Sequence, residues 1–308
     1  MTAKRTAPTT VSGESASRES MVTNQATVTA IQVKRPFPWR HLLDYLSQRF
    51  TPGVESITAT DGGSYVRKGG LQPADRPGDT ADSIRLRYDA RRACLLLELP
   101  ESMADAATQA DLLARAAALF DARFDAAPME AVLGRSALLR ARMQTVRGLR
   151  PPSAWEPFEL CVRTVAGQQV SVAAAATLLR RLAERCGPAL TPQSLLDANL
   201  DAIGMPSRRV ACLQGLARAI VHDQLDLRAA SWGDVNEALK QLPGFGPWTR
   251  SYLAIRLGRD TDAFPETDIG LLRAAGAASP AELLRMAERW RPWRAHAALY
   301  LWAVTPRR

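Results

Sequence analysis

Four cysteines (Cys94, Cys161, Cys186, Cys212) and three histidines (His41, His222, His296) are thinly scattered over this 308-residue chain. No two cysteines have CxxC spacing, so a zinc or iron–sulfur centre is not expected; buried free thiols are. No apolar run approaches the roughly 18 residues that a transmembrane helix needs. The first eight residues, Met1 to Pro8, lack the apolar stretch of a secretory signal, and a cytoplasmic location is expected.

What the chain does have is positive charge. Its 40 Lys and Arg residues against 31 Asp and Glu give a net charge of +9. A basic surface favours a polyanionic partner, most simply nucleic acid, without implying sequence specificity. The 46% hydrophobic and 23% charged content is ordinary for a globular protein.

The fold class expected from patterning is mostly α with a small N-terminal α+β domain. Residues 1–29 are rich in Thr, Ser and Ala and are read as a disordered tail. Residues 30–120 carry a short helix through Leu42, Leu43 and Leu46, then strand signals at Ser56–Thr60 and Ser64–Arg67. A Gly- and Pro-rich loop follows from Gly69 to about Asp82. Ile84, Leu86 and Tyr88 alternate with arginines, and Cys94–Leu99 forms another apolar strand. Helical periodicity dominates after Pro100. One helix is expected across Val132–Leu139, and Ser171 is placed to N-cap another. The helical part divides into 156–260 and a discontinuous subdomain, 121–155 with 261–308.

One stretch stands apart: Leu242-Pro-Gly-Phe-Gly-Pro-Trp-Thr-Arg-Ser-Tyr-Leu-Ala-Ile-Arg256, followed by Phe264-Pro-Glu-Thr-Asp268. Gly244 and Gly246 flank one apolar residue between two helices. Glycine permits positive φ and close approach of another backbone. Pro247 suits the first turn of the second helix. N–H groups at that helix start are free to meet a phosphate without reading any base. Asp268 directly precedes Ile269-Gly-Leu-Leu, a helix N-cap position where N–H donors and the dipole keep a carboxylate ionised. Asp262 and Glu266 are expected to be surface acids.

The stretch resembles the helix–hairpin–helix motif. LPGFG alone also fits polymerases, ligases and non-enzymatic DNA-binding modules, so the residues around it must decide. The chain resembles the AlkA-type 3-methyladenine DNA glycosylase II family of the helix–hairpin–helix superfamily. The resemblance is carried by the hairpin, Asp268, Phe158-Glu159 with Gly167–Val172, Gly204–Arg209, Ala287–Arg294 and Leu301-Trp302, and runs from about residue 33 to the end.

That resemblance implies a helix–hairpin–helix glycosylase fold and hydrolysis of N-glycosidic bonds of alkylated bases in duplex DNA. The alternative is a non-catalytic DNA-binding or damage-sensing protein; a third reading is a glycosylase for oxidised or deaminated bases. Asp268 would be the catalytic carboxylate. Trp248, Tyr252, Trp302 and Tyr45 would form the base pocket, where aromatic faces attract a cationic purine. Gly244, Gly246, Pro247, Thr249, Gln168 and Gln169 would contact DNA. Gln169 occupies the wedge position where the family's prototype inserts a leucine, with Gln168 as the neighbouring alternative.

Trp248 stands where bifunctional relatives carry a Schiff-base lysine, so no lyase activity is expected. No cofactor is expected to be required. Leu242 and Gly244 carbonyls could hold a structural monovalent cation. Damaged duplex DNA is the expected partner, of a monomeric, non-membrane protein that meets its substrate at the nucleoid.

Overall fold

The computed structural model describes residues 27–68, 83–103, 105–187 and 190–303. Five strands form one antiparallel sheet: β1 (Thr27–Gln32), β2 (Glu55–Thr58), β3 (Ser64–Lys68), β4 (Ser83–Asp89) and β5 (Cys94–Leu99). Their spatial order is β1-β5-β4-β3-β2. The four strand segments expected from patterning are all present.

β1 corrects the expected tail, which reached residue 29. It pairs with β5 in register from Thr27 opposite Leu99 to Gln32 opposite Cys94. Its small, half-polar residues resemble tail composition, and an edge strand needs only one apolar face and one partner. The rest of the expected tail, 1–26, and the glycine-rich loop, 69–82, lie outside the described residues.

Two helices, α1 (Trp39–Leu46) and α2 (Ala106–Leu119), belong to the sheet's domain. Leu42 and Leu43 from the first and Leu112 and Ala116 from the second close a core with Tyr65, Ile84, Leu86, Leu95 and Leu97. The helix expected across Val132–Leu139 is two helices, α3 (Ala126–Leu133) and α4 (Ala137–Thr145). Gly134 ends the first, and Ser136, extended at ψ 120°, begins the second. Glycine and serine at those places favour a stop and a restart over one continuous helix.

The remaining helices are α5 (Pro157–Ala166), α6 (Val172–Cys186), α7 (Pro192–Asp197), α8 (Ser207–Val221), α9 (Trp232–Lys240), α10 (Pro247–Arg256), α11 (Ile269–Ala275), α12 (Pro280–Ala287) and α13 (Arg294–Ala303). Ser171 caps α6 as expected, its hydroxyl accepting from the Ala174 N–H at 3.2 Å.

Three apolar clusters result. One is the sheet core; the second joins α5 to α10; the third joins α3 and α4 to α11, α12 and α13. Helix α10 belongs to two of them, with Leu253 in one and Ala254 and Ile255 in the other. Side chains on α10 are therefore fixed from both sides.

Helix α5 is buried from Phe158 through Ala166, including its charges. Glu159 accepts both Nη groups of Arg67 from β3, at 3.0 and 2.6 Å. Arg163 donates to Glu55 at 2.7 Å, and Glu55 also accepts from the Tyr65 hydroxyl at 2.6 Å and the Thr51 N–H at 2.7 Å. Burial opposes ionisation of Glu55, but Arg163 and Arg67 hold its carboxyl below the ordinary value. This cluster bolts the sheet to the helical part.

Candidate active site

The hairpin shows why its two glycines differ. Gly244 adopts φ +92°, and a Cβ there would lie 2.5 Å from the Cys212 sulfur on α8. Glycine is needed for both the conformation and the close approach. Gly246 has φ −63° and ψ 174°, and a Cβ there would meet open space. Its bareness serves whatever approaches from outside. Pro247 occupies the first turn of α10 and is exposed. The neighbouring N–H groups of Gly246 and Trp248 donate to no acceptor among the described residues. Cys212, under the turn, has its thiol pushed up to about 11 by burial. It is a packing residue.

Gln168 is tied into this hairpin. Its Nε2 donates to the Gly244 carbonyl at 3.0 Å and to the Thr249 hydroxyl at 3.2 Å, while its backbone carbonyl accepts from Arg209 at 2.7 Å. The geometry disfavours it as a wedge: a side chain whose amide is tied to the hairpin must break two hydrogen bonds to enter a base stack. Gln169, next to it, is exposed and held at φ +56°. Val170 and Val172, within the Gly167–Val172 segment, stand beside it at 36% and 62% exposure. The Thr249 side chain is turned inward. The residue is 4% exposed, so its side chain supports Gln168 and does not face a ligand.

Asp268 caps α11, one oxygen accepting from the Leu271 N–H at 2.8 Å. That same oxygen accepts from the Trp302 indole at 3.0 Å, and the other accepts from the Trp248 indole at 2.9 Å. The carboxylate is thus clamped by three neutral N–H donors and forms no ion pair among the described residues. Gly270 makes the clamp possible, since a Cβ there would lie 3.0 Å from the Asp268 oxygen and 3.6 Å from the Trp302 ring. Sequence reasoning missed Gly270; its place two residues after the acid, in the first turn of a helix, is the signal that was there to read.

Trp248 and Tyr252, four apart on α10, stack at 5.3 Å with rings 6° from parallel. Trp302 meets Tyr252 edge-on at 5.9 Å. With Asp268 they line a cavity of about 600 Å³, whose other walls come from Ser47–Phe50, from α5 and from α6. That size suits a small-molecule group carried on a larger substrate. No lysine lines it.

Tyr45 is not among the lining residues. It lies behind the wall, its ring covered by the guanidinium of Arg49 at 4.0 Å and that of Arg256 at 5.0 Å. It packs the pocket's back and does not supply its face. Arg256, which sequence reasoning left without a role, is buried and donates to the Tyr252 hydroxyl at 2.8 Å and to the carbonyls of Pro152 and Ser153. Burial alone would push the Tyr252 phenol up; Arg256 and Arg49 outweigh it and bring it down to about 8.

Asp262 is no bare surface acid. It accepts from Arg294 at 2.8 and 2.9 Å and pairs with Arg291. Glu266 is half-buried and takes part in no ion pair among the described residues. Trp290 is core, packed on Phe264.

An AlkA N-terminal domain matches residues 28–156, and the HhH-GPD superfamily of base excision DNA repair proteins matches residues 162–294. DNA-3-methyladenine glycosylase 2 of Escherichia coli is 32% identical over 283 residues, spanning 87% of this chain and 94% of that protein. The chain belongs to the HhH-GPD superfamily. Among solved HhH-GPD folds, the 3-methyladenine DNA glycosylase of Archaeoglobus fulgidus superposes with a TM-score of 0.73 at 16% identity, covering 89% of this chain and 97% of that one. The Schizosaccharomyces pombe 3-methyladenine DNA glycosylase, solved with abasic DNA, gives 0.51 at 26% identity over 57% of this chain and 95% of that one. Among the described residues no helix is long and apolar enough to cross a membrane.

Proposed function

We infer that this HhH-GPD protein is a DNA glycosylase that removes alkylated bases, of the 3-methyladenine and 7-methylguanine type, from duplex DNA as the first step of base excision repair. Membership of the superfamily and the extent of the match to the E. coli enzyme support the activity. The finer mechanism rests on one observation: the Asp268 carboxylate faces an aromatic cavity held only by neutral donors.

The duplex docks on the hairpin, where the N–H groups of Gly246 and Trp248 and the open face of Gly246 accept a phosphate. The damaged nucleotide turns out of the stack into the cavity, and Gln169 with Val170 fills its place. A cationic purine lies against Trp248 and Tyr252, gaining about 0.5–2 kcal/mol from each ring face. Its glycosidic bond is weak because the leaving base departs neutral.

As that bond lengthens, positive charge grows at C1′. Asp268 has no cation pairing its charge, so its field is available to the sugar. At about 4 Å and an effective dielectric of about 20, the attraction is worth ~4 kcal/mol, on the order of 10³ in rate. The carboxylate also orients the attacking water. Without an amine in the cavity, no Schiff base forms, and the abasic strand stays intact.

The test is base release from a panel of duplexes carrying methylated, oxidised or deaminated bases. Free methylated purine is expected, with strands breaking only after alkali. Binding of abasic DNA with no base released would make the protein a damage-binding module; strand scission without added base would contradict the monofunctional mechanism.

A further inference from the structure

The hairpin carbonyls fit a bound monovalent cation poorly. The Leu242 carbonyl accepts the Phe245 N–H at 3.3 Å, and the Gly244 carbonyl accepts Gln168 Nε2 at 3.0 Å. The Phe245 carbonyl, between the two glycines, accepts Nη1 of Arg250 at 2.6 Å. A carbonyl oxygen has a second lone pair, so engagement once does not bar a metal ion. A fixed positive charge on the same turn does oppose one, because like charges at short range repel.

Arg250 is built into both helices of the motif. It projects from α10, and its Nε donates to Asn236 Oδ1 on α9 at 2.9 Å. The side chain is half-buried, and its Nη2 donates to no acceptor among the described residues. A guanidinium is permanently charged and planar, and its donor edge matches phosphate.

We propose that Arg250 is the hairpin's built-in cation. Nε and Nη1 fix the turn from Asn236 to the Phe245 carbonyl, and the remaining N–H edge meets a DNA phosphate. The hairpin therefore grips the backbone without a bound metal ion. This inference rests on the DNA-binding reading above.

The experiment measures binding of a duplex containing a tetrahydrofuran abasic analogue by fluorescence anisotropy. Ionic strength is held constant with potassium, sodium or tetramethylammonium chloride. Wild-type Kd is expected to agree within about twofold across the three salts, since a tethered charge does not depend on which cation is in solution. Arg250→Ala is expected to bind about tenfold more weakly in tetramethylammonium, the loss of one charge-assisted contact, and to recover part of that loss in potassium.

Arg250→Gln, which keeps donors but not charge, covers the case in which the alanine variant does not fold, and should show the same cation dependence. A wild-type protein that loses about tenfold in affinity in tetramethylammonium needs a metal ion, and the proposal fails while DNA binding stands. Variants that bind like wild type in tetramethylammonium also overturn it. Wild type that binds DNA in no salt overturns the DNA-binding reading and this proposal together.

Discussion

Two regions of the molecule hold a carboxylate in position, and they do it with opposite chemistry. Under the sheet, Glu159 and Glu55 are answered by Arg67 and Arg163, with side chains 0–7% exposed throughout. At the cavity, Asp268 is answered by two indoles and a backbone amide. Both arrangements fix an acid. Only the second leaves its negative charge unspent. A carboxylate paired with guanidinium has little field left for a substrate, whereas one clamped by neutral donors keeps it. Asp262, flanked by Arg291 and Arg294, falls on the structural side of that line.

The largest effect should come from breaking the paired region. Arg67→Met leaves Glu159 buried without its partner and should cost about 3–5 kcal/mol in denaturant unfolding. Base release per folded molecule should be little changed, because neither Arg67 nor Glu159 lines the cavity. An unaltered unfolding midpoint would remove the cluster's role as a bolt.

The neutral clamp should behave in reverse. Trp302→Phe keeps an aromatic ring and removes one charge-assisted hydrogen bond, worth about 1.5–3 kcal/mol. The loss is expected mainly in the single-turnover rate of base release, with stability less affected. A variant that unfolds easily yet reacts normally would class the indole as core.

The two hairpin glycines divide the same way. Gly244→Ala forces a methyl against Cys212 at positive φ and should destabilise by about 1–3 kcal/mol. Gly246→Ala should leave stability within about 0.5 kcal/mol and weaken DNA binding, since its methyl points where phosphate approaches. Equal thermal shifts for the two would contradict that division.

A pH-dependent effect, small per pH unit, probes a buried polar group with no hydrogen-bond partner among the described residues. His296 lies between Phe124 and Trp293 with both ring nitrogens unbonded, and burial, aided by Arg150, pushes it down to about 3. Between pH 6.5 and about 3 the unfolded chain holds a proton that the folded one lacks. Stability therefore rises with pH across that window, and acidification costs ~1.4 kcal/mol per unit from this residue. His296→Phe should flatten that slope; an unchanged acid limb would show that other groups set it.

Much of this was legible in local sequence. The hairpin, the cap at Asp268, the cap at Ser171 and four of the five strands follow from short-range rules, where the residues that decide lie within a few positions. What escaped depends on distant partners. Gln168 could not be told from Gln169 until α10 was in place, because its acceptors lie 76 and 81 positions away. Thr249 has a surface residue's chemistry and a core residue's position for the same reason. Tyr45 reads as a pocket aromatic, but α1 sets it behind Tyr252. The Arg67–Glu159 pair spans 92 residues and leaves no spacing signal. β1 was missed because an edge strand with one good partner needs little hydrophobicity of its own.

The central claim is that Asp268 supplies uncompensated negative charge to a base held by Trp248, Tyr252 and Trp302. Single-turnover release of methylated purine, compared between wild type and Asp268→Asn with abasic-duplex binding measured alongside, tests it most directly. Asparagine preserves the side chain's shape and removes its charge. The expected result is a fall in release on the order of 10³-fold with binding retained within a few-fold. Release that proceeds at the wild-type rate in Asp268→Asn would contradict the account.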